Sequence, residues 1–175
     1  MALLTEKRLT IGMIVLLAGI LVASIFQSKP PAAATGKGLV ETGSGVKLGF
    51  DYIKDADYKF DANLPATTDQ PPPAQLKSLN GRTVEITGFV MPLYNPDPKK
   101  LQFILAQSPN GCCFGLPPQI QHLVLVRVDG QKVDFQDTTI PYVVKGTFSV
   151  GIERDSDGFV TSLLRIQATS VVPAA

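Results

Sequence analysis

From Leu76 onward, apolar and polar residues alternate with the period of two that marks strands with one buried face. In "RTVEITGFVMPL" the alternation passes through Val84 and Ile86 and, after Gly88, continues from Phe89 to Leu93. A glycine in mid-strand predicts a bulge or a sharp bend. "LQFILAQ" supplies a second strand, and "HLVLVRVDGQKVDF" a third that turns at Asp129-Gly130 into a short fourth piece. "YVVKGTFSVGIERDSDGFVTSLLRIQATSVV" completes the pattern as a long hairpin around Asp155 to Gly158. No amphipathic helical period emerges in this part of the chain.

Ahead of these strands the pattern differs. In "VKLGFDYIKDADYKF", Val46, Leu48, Phe50 and Tyr52 alternate with Lys47, Gly49 and Asp51, which predicts a short strand or a docked extended arm. "LPATTDQPPPAQ" then breaks the chain with a proline triplet that neither a helix nor a central strand would hold. "SKPPAAATGKGLVETGSG" has no sustained apolar period and reads as a flexible tether. Before it, an uncharged apolar run from Leu9 to Phe26 follows Lys7 and Arg8. At about 18 residues the run reaches the lower limit for crossing a bilayer and exceeds the ~7–15 of a signal-peptide core. A retained transmembrane helix is therefore expected, with cleavage near Val22-Ala23-Ser24 as the alternative. The leading positive charges keep the N-terminus in the cytoplasm and send the rest into the periplasm or another extracytoplasmic space. The expected organisation is an anchor or signal segment over 1–28, a linker over 29–45, an arm and Pro-rich connection over 46–75, and a strand domain over 76–175.

Roughly five main strands in about 100 residues, with glycines where strands must bend, suit an all-β, five-stranded Greek-key barrel of the oligonucleotide/oligosaccharide-binding (OB) type. An open sandwich is the competing architecture. Composition narrows the function classes. The 175 residues are 45% hydrophobic and 18% charged, with a formal net charge of +1. That balance offers no basic excess for phosphates, aromatic residues are few with no Trp, and Lys99-Lys100 is an isolated pair, so no nucleic-acid partner is expected. Two cysteines are too few for a disulfide scaffold.

Both cysteines fall in "NGCCFGLPPQ", within a connection from Ser108 to Gln121 of about 14 residues, long beside the ~2–5 of ordinary hairpins. Gly111 and Gly115 admit unusual backbone angles, and Pro117 and Pro118 fix the exit, so a binding loop of Gly111, Cys112, Cys113, Phe114, Gly115, Pro117 and Pro118 is expected. Cys112 and Cys113 with His122 could offer soft ligands to zinc or copper, although adjacent cysteines point to opposite sides of an extended chain and a fourth ligand is missing. A vicinal disulfide is the redox alternative, and burial of a cysteine as a small hydrophobe is the plain one. A Cys-His nucleophile pair lacks an identifiable orienting group, and no Gly-x-Ser-x-Gly or His-Glu-x-x-His motif occurs, so no enzyme is expected. "RDSDGF" at 154–159 reads as a hairpin turn rather than a calcium loop, and Asp51, Asp55, Asp57 and Asp61 as a solvated face.

The order "LNGRTVEITGFVMPL", "GCCFGLPPQIQHLVLVRV" and "VKGTFSVG" resembles the bacterial family called domain of unknown function 3299, over Leu48 to Val172. The resemblance implies an envelope-facing small β-barrel of the OB kind, preceded by an extended arm at "FDYIKDADYKF". It also implies an accessory role beside an envelope protein or transporter complex. Some relatives carry a histidine near the first cysteine where this chain has Phe114, which weakens a metal role here. The expectation is thus a membrane-anchored binding module, with a metal-handling or thiol-redox accessory protein using Cys112 and Cys113 as the alternative.

Overall fold

In this computed structural model, residues 38–93, 100–109, 119–130, 133, 135 and 137–174 are described. The expected anchor and the first part of the tether lie outside them. Among the described residues no helix is long and apolar enough to cross a membrane. Strand β1 (Leu39–Thr42) is followed by β2 (Gly45–Leu48), helix α1 (Phe50–Asp55) and the single turn α2 (Ala74–Lys77). The main strands are β3 (Thr83–Pro92), β4 (Lys100–Ala106), β5 (Val124–Asp129), β6 (Pro141–Arg154) and β7 (Val160–Pro173).

These elements make an all-β architecture of one seven-stranded sheet in the order β1-β2-β3-β4-β5-β7-β6, with β3 pairing a second time to β6. Each of β3, β4, β5, β7 and β6 therefore pairs with two others of that set. The β5–β7 ladder is parallel, and β3–β4, β4–β5, β6–β7 and β3–β6 are antiparallel. Along β3 the alternation buries Val84, Ile86 and Val90, and in the facing strands Phe103, Val126, Val144, Phe148, Leu164 and Ile166 sit in the same core. Each such side chain contributes about 1.5–3 kcal/mol on leaving water, which is why the period-two pattern dictates the inner face.

Gly88 lies where β3 passes from β6 toward β4. A Cβ there would stand 2.7 Å from the Ala106 carbonyl oxygen and 2.8 Å from the Phe50 ring, so a bare backbone is required for β4 and α1 to close on this strand. The hairpin turn forms as expected. Asp155 Oδ1 accepts the amides of Asp157 and Phe159 at 3.0 and 2.9 Å, and Gly158 takes φ +87°.

Three expectations need correction. The main strands number five, but two further strands join the same sheet, and β1 occupies Leu39–Thr42 inside the stretch assigned to the tether. The arm strand stops at Leu48, after β2 pairs in parallel with Val84–Ile86, and the chain enters α1. Phe50 and Ile53, three apart, share a helix face as readily as Phe50 and Tyr52 share a strand face, and all three are buried in the helix. Finally, of the short fourth piece expected after Asp129-Gly130, Val133 and Phe135 are not in a strand, and Gln131, Lys132 and Asp134 lie outside the described residues. Phe135 instead meets Phe103 and Tyr142 edge to face, at centroid distances of 4.9 and 5.4 Å.

Candidate functional site

Gly111, Cys112, Cys113, Phe114, Gly115, Pro117 and Pro118 lie outside the described residues, but the structure defines what flanks them. On the β4 side, Gln107 Nε2 donates to Asp51 Oδ1 of α1 at 3.2 Å. On the β5 side, Ile120–His122 form a 3-10 turn that packs against α1 and β7. Both flanks of the cysteine-bearing segment thus meet the same short helix. His122 ends that turn, two residues before β5. Burial pushes its imidazole below the usual histidine range, the Lys54 charge adds to this, and Asp57 opposes it. Its side chain has no hydrogen-bond partner among the described residues. No group of three His, Cys, Asp or Glu that could hold a metal occurs among the described residues.

All four carboxylates of the arm, Asp51, Asp55, Asp57 and Asp61, are exposed, as the solvated reading expects, and three of them have partners. Asp51 holds Gln107, Asp57 pairs with Lys59, and Asp61 Oδ1 accepts the backbone and side-chain amides of Asn63. Beyond α1, residues 56–73 close on themselves. Gln70 exchanges two hydrogen bonds with the Asp61 backbone, at 2.7 and 3.1 Å, and the buried Tyr58 hydroxyl donates to the Gln70 carbonyl at 3.0 Å. Between the two limbs of this loop runs an open groove of about 610 Å³ lined by residues such as Phe60, Leu64, Asp69 and Pro71.

A polar cluster that the sequence did not announce joins β5, β6 and β7. Glu153 accepts Arg127 Nη2 on Oε1 at 2.8 Å and Ser162 Oγ on Oε2 at 3.0 Å, while Arg165 Nε stands 3.6 Å from Oε2. Arg165 Nη1 also donates to the Gly151 carbonyl at 2.7 Å. The register shifts around Glu153 in the β6–β7 ladder mark the irregularity that aims its side chain across β7 toward β5. Burial pushes the Glu153 carboxyl up, but the hydrogen bonds from Arg127 and Ser162 and the two arginine charges more than offset this and hold it below the usual range. Burial also lowers Arg165, against the opposing charge of Glu153. The sequence signal for the cluster is a single arginine flanked by apolar residues in each of two strands, "VLVRVD" and "SLLRIQ".

Comparison with known proteins follows the same lines. A crystal structure of a DUF3299 family protein from Pseudomonas aeruginosa PAO1 superposes with a TM-score of 0.51 at 19% identity, covering 74% of this chain and 95% of that one. At that identity the likeness concerns the fold alone. A protein described as an aspartyl-tRNA synthetase from Leishmania major Friedlin aligns at 10% identity and a TM-score of 0.42, over 89% of this chain and 26% of its own, and carries no weight here. Among curated protein sequences none matches the chain. The family described as "Protein of unknown function (DUF3299)" matches residues 53–173, and the chain belongs to it.

Proposed function

We propose that this chain is a non-enzymatic binding module, that its five-strand circuit is a small Greek-key barrel of the OB kind, and that residues 111–118 form its recognition loop. The strand order and the parallel β5–β7 pairing support the barrel reading. The observation that carries the loop reading is the clamp at its two flanks. Gln107 is bonded to α1 and the 3-10 turn at 120–122 is packed on it, so a rigid helix holds both ends of a segment rich in Gly and Pro. The apolar run from Leu9 to Phe26 would hold the module at a membrane, with the described residues on the extracytoplasmic side, beside an envelope protein or transporter complex.

The test places a photo-crosslinking residue at Phe114 of the full chain in its native membrane and compares it with one at the exposed Thr161 of β7. One discrete adduct from position 114, lost on Pro118→Ala while the thermal midpoint holds, is the expected result. Equal labelling from both positions, or loss of folding in step with loss of the adduct, overturns the loop reading.

A second reading rests on His122. A half-buried imidazole kept neutral and without a described partner, at one end of the segment bearing Cys112 and Cys113, suits a thiol-rich metal-handling or redox site for zinc or copper. Native and denaturing intact mass separates the cases. Added mass lost on denaturation supports a bound ion, a deficit of two hydrogens restored by reductant supports a vicinal disulfide, and an unmodified mass in both conditions overturns this reading.

A further inference from the structure

The groove between the limbs of residues 56–73 combines apolar walls with acidic side chains. Phe60 lines it and is steadied by the buried Tyr58, edge to face at a centroid distance of 6.5 Å and an angle of 75°. Leu64 lines it as well and is 43% exposed, while Pro71 adds rigid apolar surface. The limbs are held in place without a ligand, because the Gln70 side chain bonds the Asp61 backbone in both directions. Asp57, Asp61 and Asp69 share the lining with a single cation, Lys59. Lys59 is taken up by Asp57, whereas Asp69 is exposed and has no bonded partner among the described residues. Asp61 keeps its charge while its Oδ1 accepts both Asn63 amides. From Lys54 to Pro73 two lysines stand against four aspartates, a net of two negative charges in a chain whose total is +1. The other charge that Tyr58 feels, that of Arg165, is answered by Glu153.

We propose that this groove is a docking site for a basic protein segment, which lays a large apolar side chain against Phe60 and Leu64 and sets a lysine or arginine beside Asp61 or Asp69. The apolar side chain gains by leaving water, and the cation gains from carboxylates that no lysine of the groove neutralises. Because the limbs are already tied together, little ordering opposes binding. A volume of about 610 Å³ holds a few side chains of an extended segment. The same negative charge repels the anionic headgroups of a membrane surface, which favours a peptide over a lipid as the occupant. The groove lies outside residues 111–118 and does not depend on the loop reading.

The experiment titrates the full chain, in an uncharged detergent, with the capped hexapeptide Lys-Leu-Pro-Lys-Leu-Lys and follows backbone amide signals by NMR. Two further peptides are references, one with glutamate in place of every lysine and one with serine in place of every leucine. The expected result is saturating shifts centred on Phe60, Leu64 and Asp69 with the first peptide and none that saturate with the glutamate peptide. The serine peptide should bind about fivefold more weakly. Leu64→Ala should weaken the first peptide about fivefold and Asp69→Asn about threefold, with unchanged thermal midpoints because both side chains are exposed. Asp157→Asn, in the exposed turn between β6 and β7, removes the same charge elsewhere and should leave binding unchanged. Four results would each overturn the proposal: no saturable shifts with the first peptide, saturable shifts outside residues 56–73 alone, equal binding of either reference peptide, or equal losses from Asp69→Asn and Asp157→Asn.

Discussion

The strands β3 to β7 and the loop of residues 56–73 belong to one chain but are held by different forces. The strands bury apolar side chains at every second position, among them Val84, Ile86, Phe103, Val124, Phe148 and Ile166. Residues 56–73 contain neither strand nor helix and bury only Ala56, Tyr58 and Gln70. Besides local turn bonds such as Thr68 N–H to the Pro65 carbonyl at 2.9 Å, the loop's two limbs are tied by three hydrogen bonds, two between Gln70 and the Asp61 backbone and one from the Tyr58 hydroxyl to the Gln70 carbonyl. Apolar burial is non-directional and is shared among many residues, so the sheet should lose its structure only in a global transition. A few directional bonds over exposed backbone can open one at a time, so the loop should open locally at lower cost.

The sharpest challenge to this contrast is Phe103→Ala. It removes a fully buried ring that also contacts Phe135, and a loss of about 3–5 kcal/mol in denaturant unfolding is expected, with every strand melting together. Survival of β3 and β6 amide protection after β4 has exchanged would break the picture of one cooperative sheet. Gly146→Ala comes next. Its Cβ would fall 2.2 Å from the Gln167 carbonyl oxygen, at a register shift of the β6–β7 ladder, and cannot be relieved by a side-chain rotation. A cost of about 1–3 kcal/mol in the same global transition is expected.

Tyr58→Phe probes the other region. Deleting a hydroxyl that donates 3.0 Å to the Gln70 carbonyl should cost about 1 kcal/mol. Hydrogen exchange is the decisive readout, since amides within 57–73 should exchange faster while those of β5 and β7 keep the parent's rates. Equal acceleration everywhere would show that the loop and the sheet form one unit.

The smallest effects are those of pH. The folded His122 sits below its ordinary value, so the unfolded chain takes up a proton first as pH falls. The associated stability is complete above about 6.5 and is lost as pH drops from there through the folded value. Glu153 is also lowered, so its contribution is present above the ordinary glutamate value of 4.5 and is lost as pH falls from there through its folded value. Thermal midpoints recorded against pH should therefore show two acid limbs. His122→Asn should flatten the upper one and Glu153→Gln the lower one, and a single limb untouched by either would refute the assignment.

Much of the sheet is legible in the sequence because each main strand declares its inner face within five or six residues. Val84, Ile86 and Val90 of β3 need no knowledge of their partners to be read as buried. Strand β1 offered no such pattern. In Leu39–Thr42 only Leu39 is buried, and four residues with a single apolar anchor carry no period. At Phe50–Asp55 the pattern was ambiguous, because the spacing of Phe50, Tyr52 and Ile53 fits a strand and a helix alike. Packing of Phe50 over Gly88 belongs to the helical solution, and that contact spans 38 positions that no local window covers.

The candidate sites divide in the same way. The cysteine segment stands out in the sequence because its composition departs from everything around it, with Gly, Cys and Pro crowded into a few positions. The Arg127–Glu153–Arg165 cluster does not, since its members lie on three strands and only the parallel β5–β7 ladder and the irregular β6 register bring them together. By itself the sequence determined which residues leave water, because hydrophobic alternation is a property of neighbouring positions. Which strands pair, where the helix enters and which charges share a face were decided only by the tertiary structure, because ladder hydrogen bonds and ion pairs form between residues that are distant along the chain.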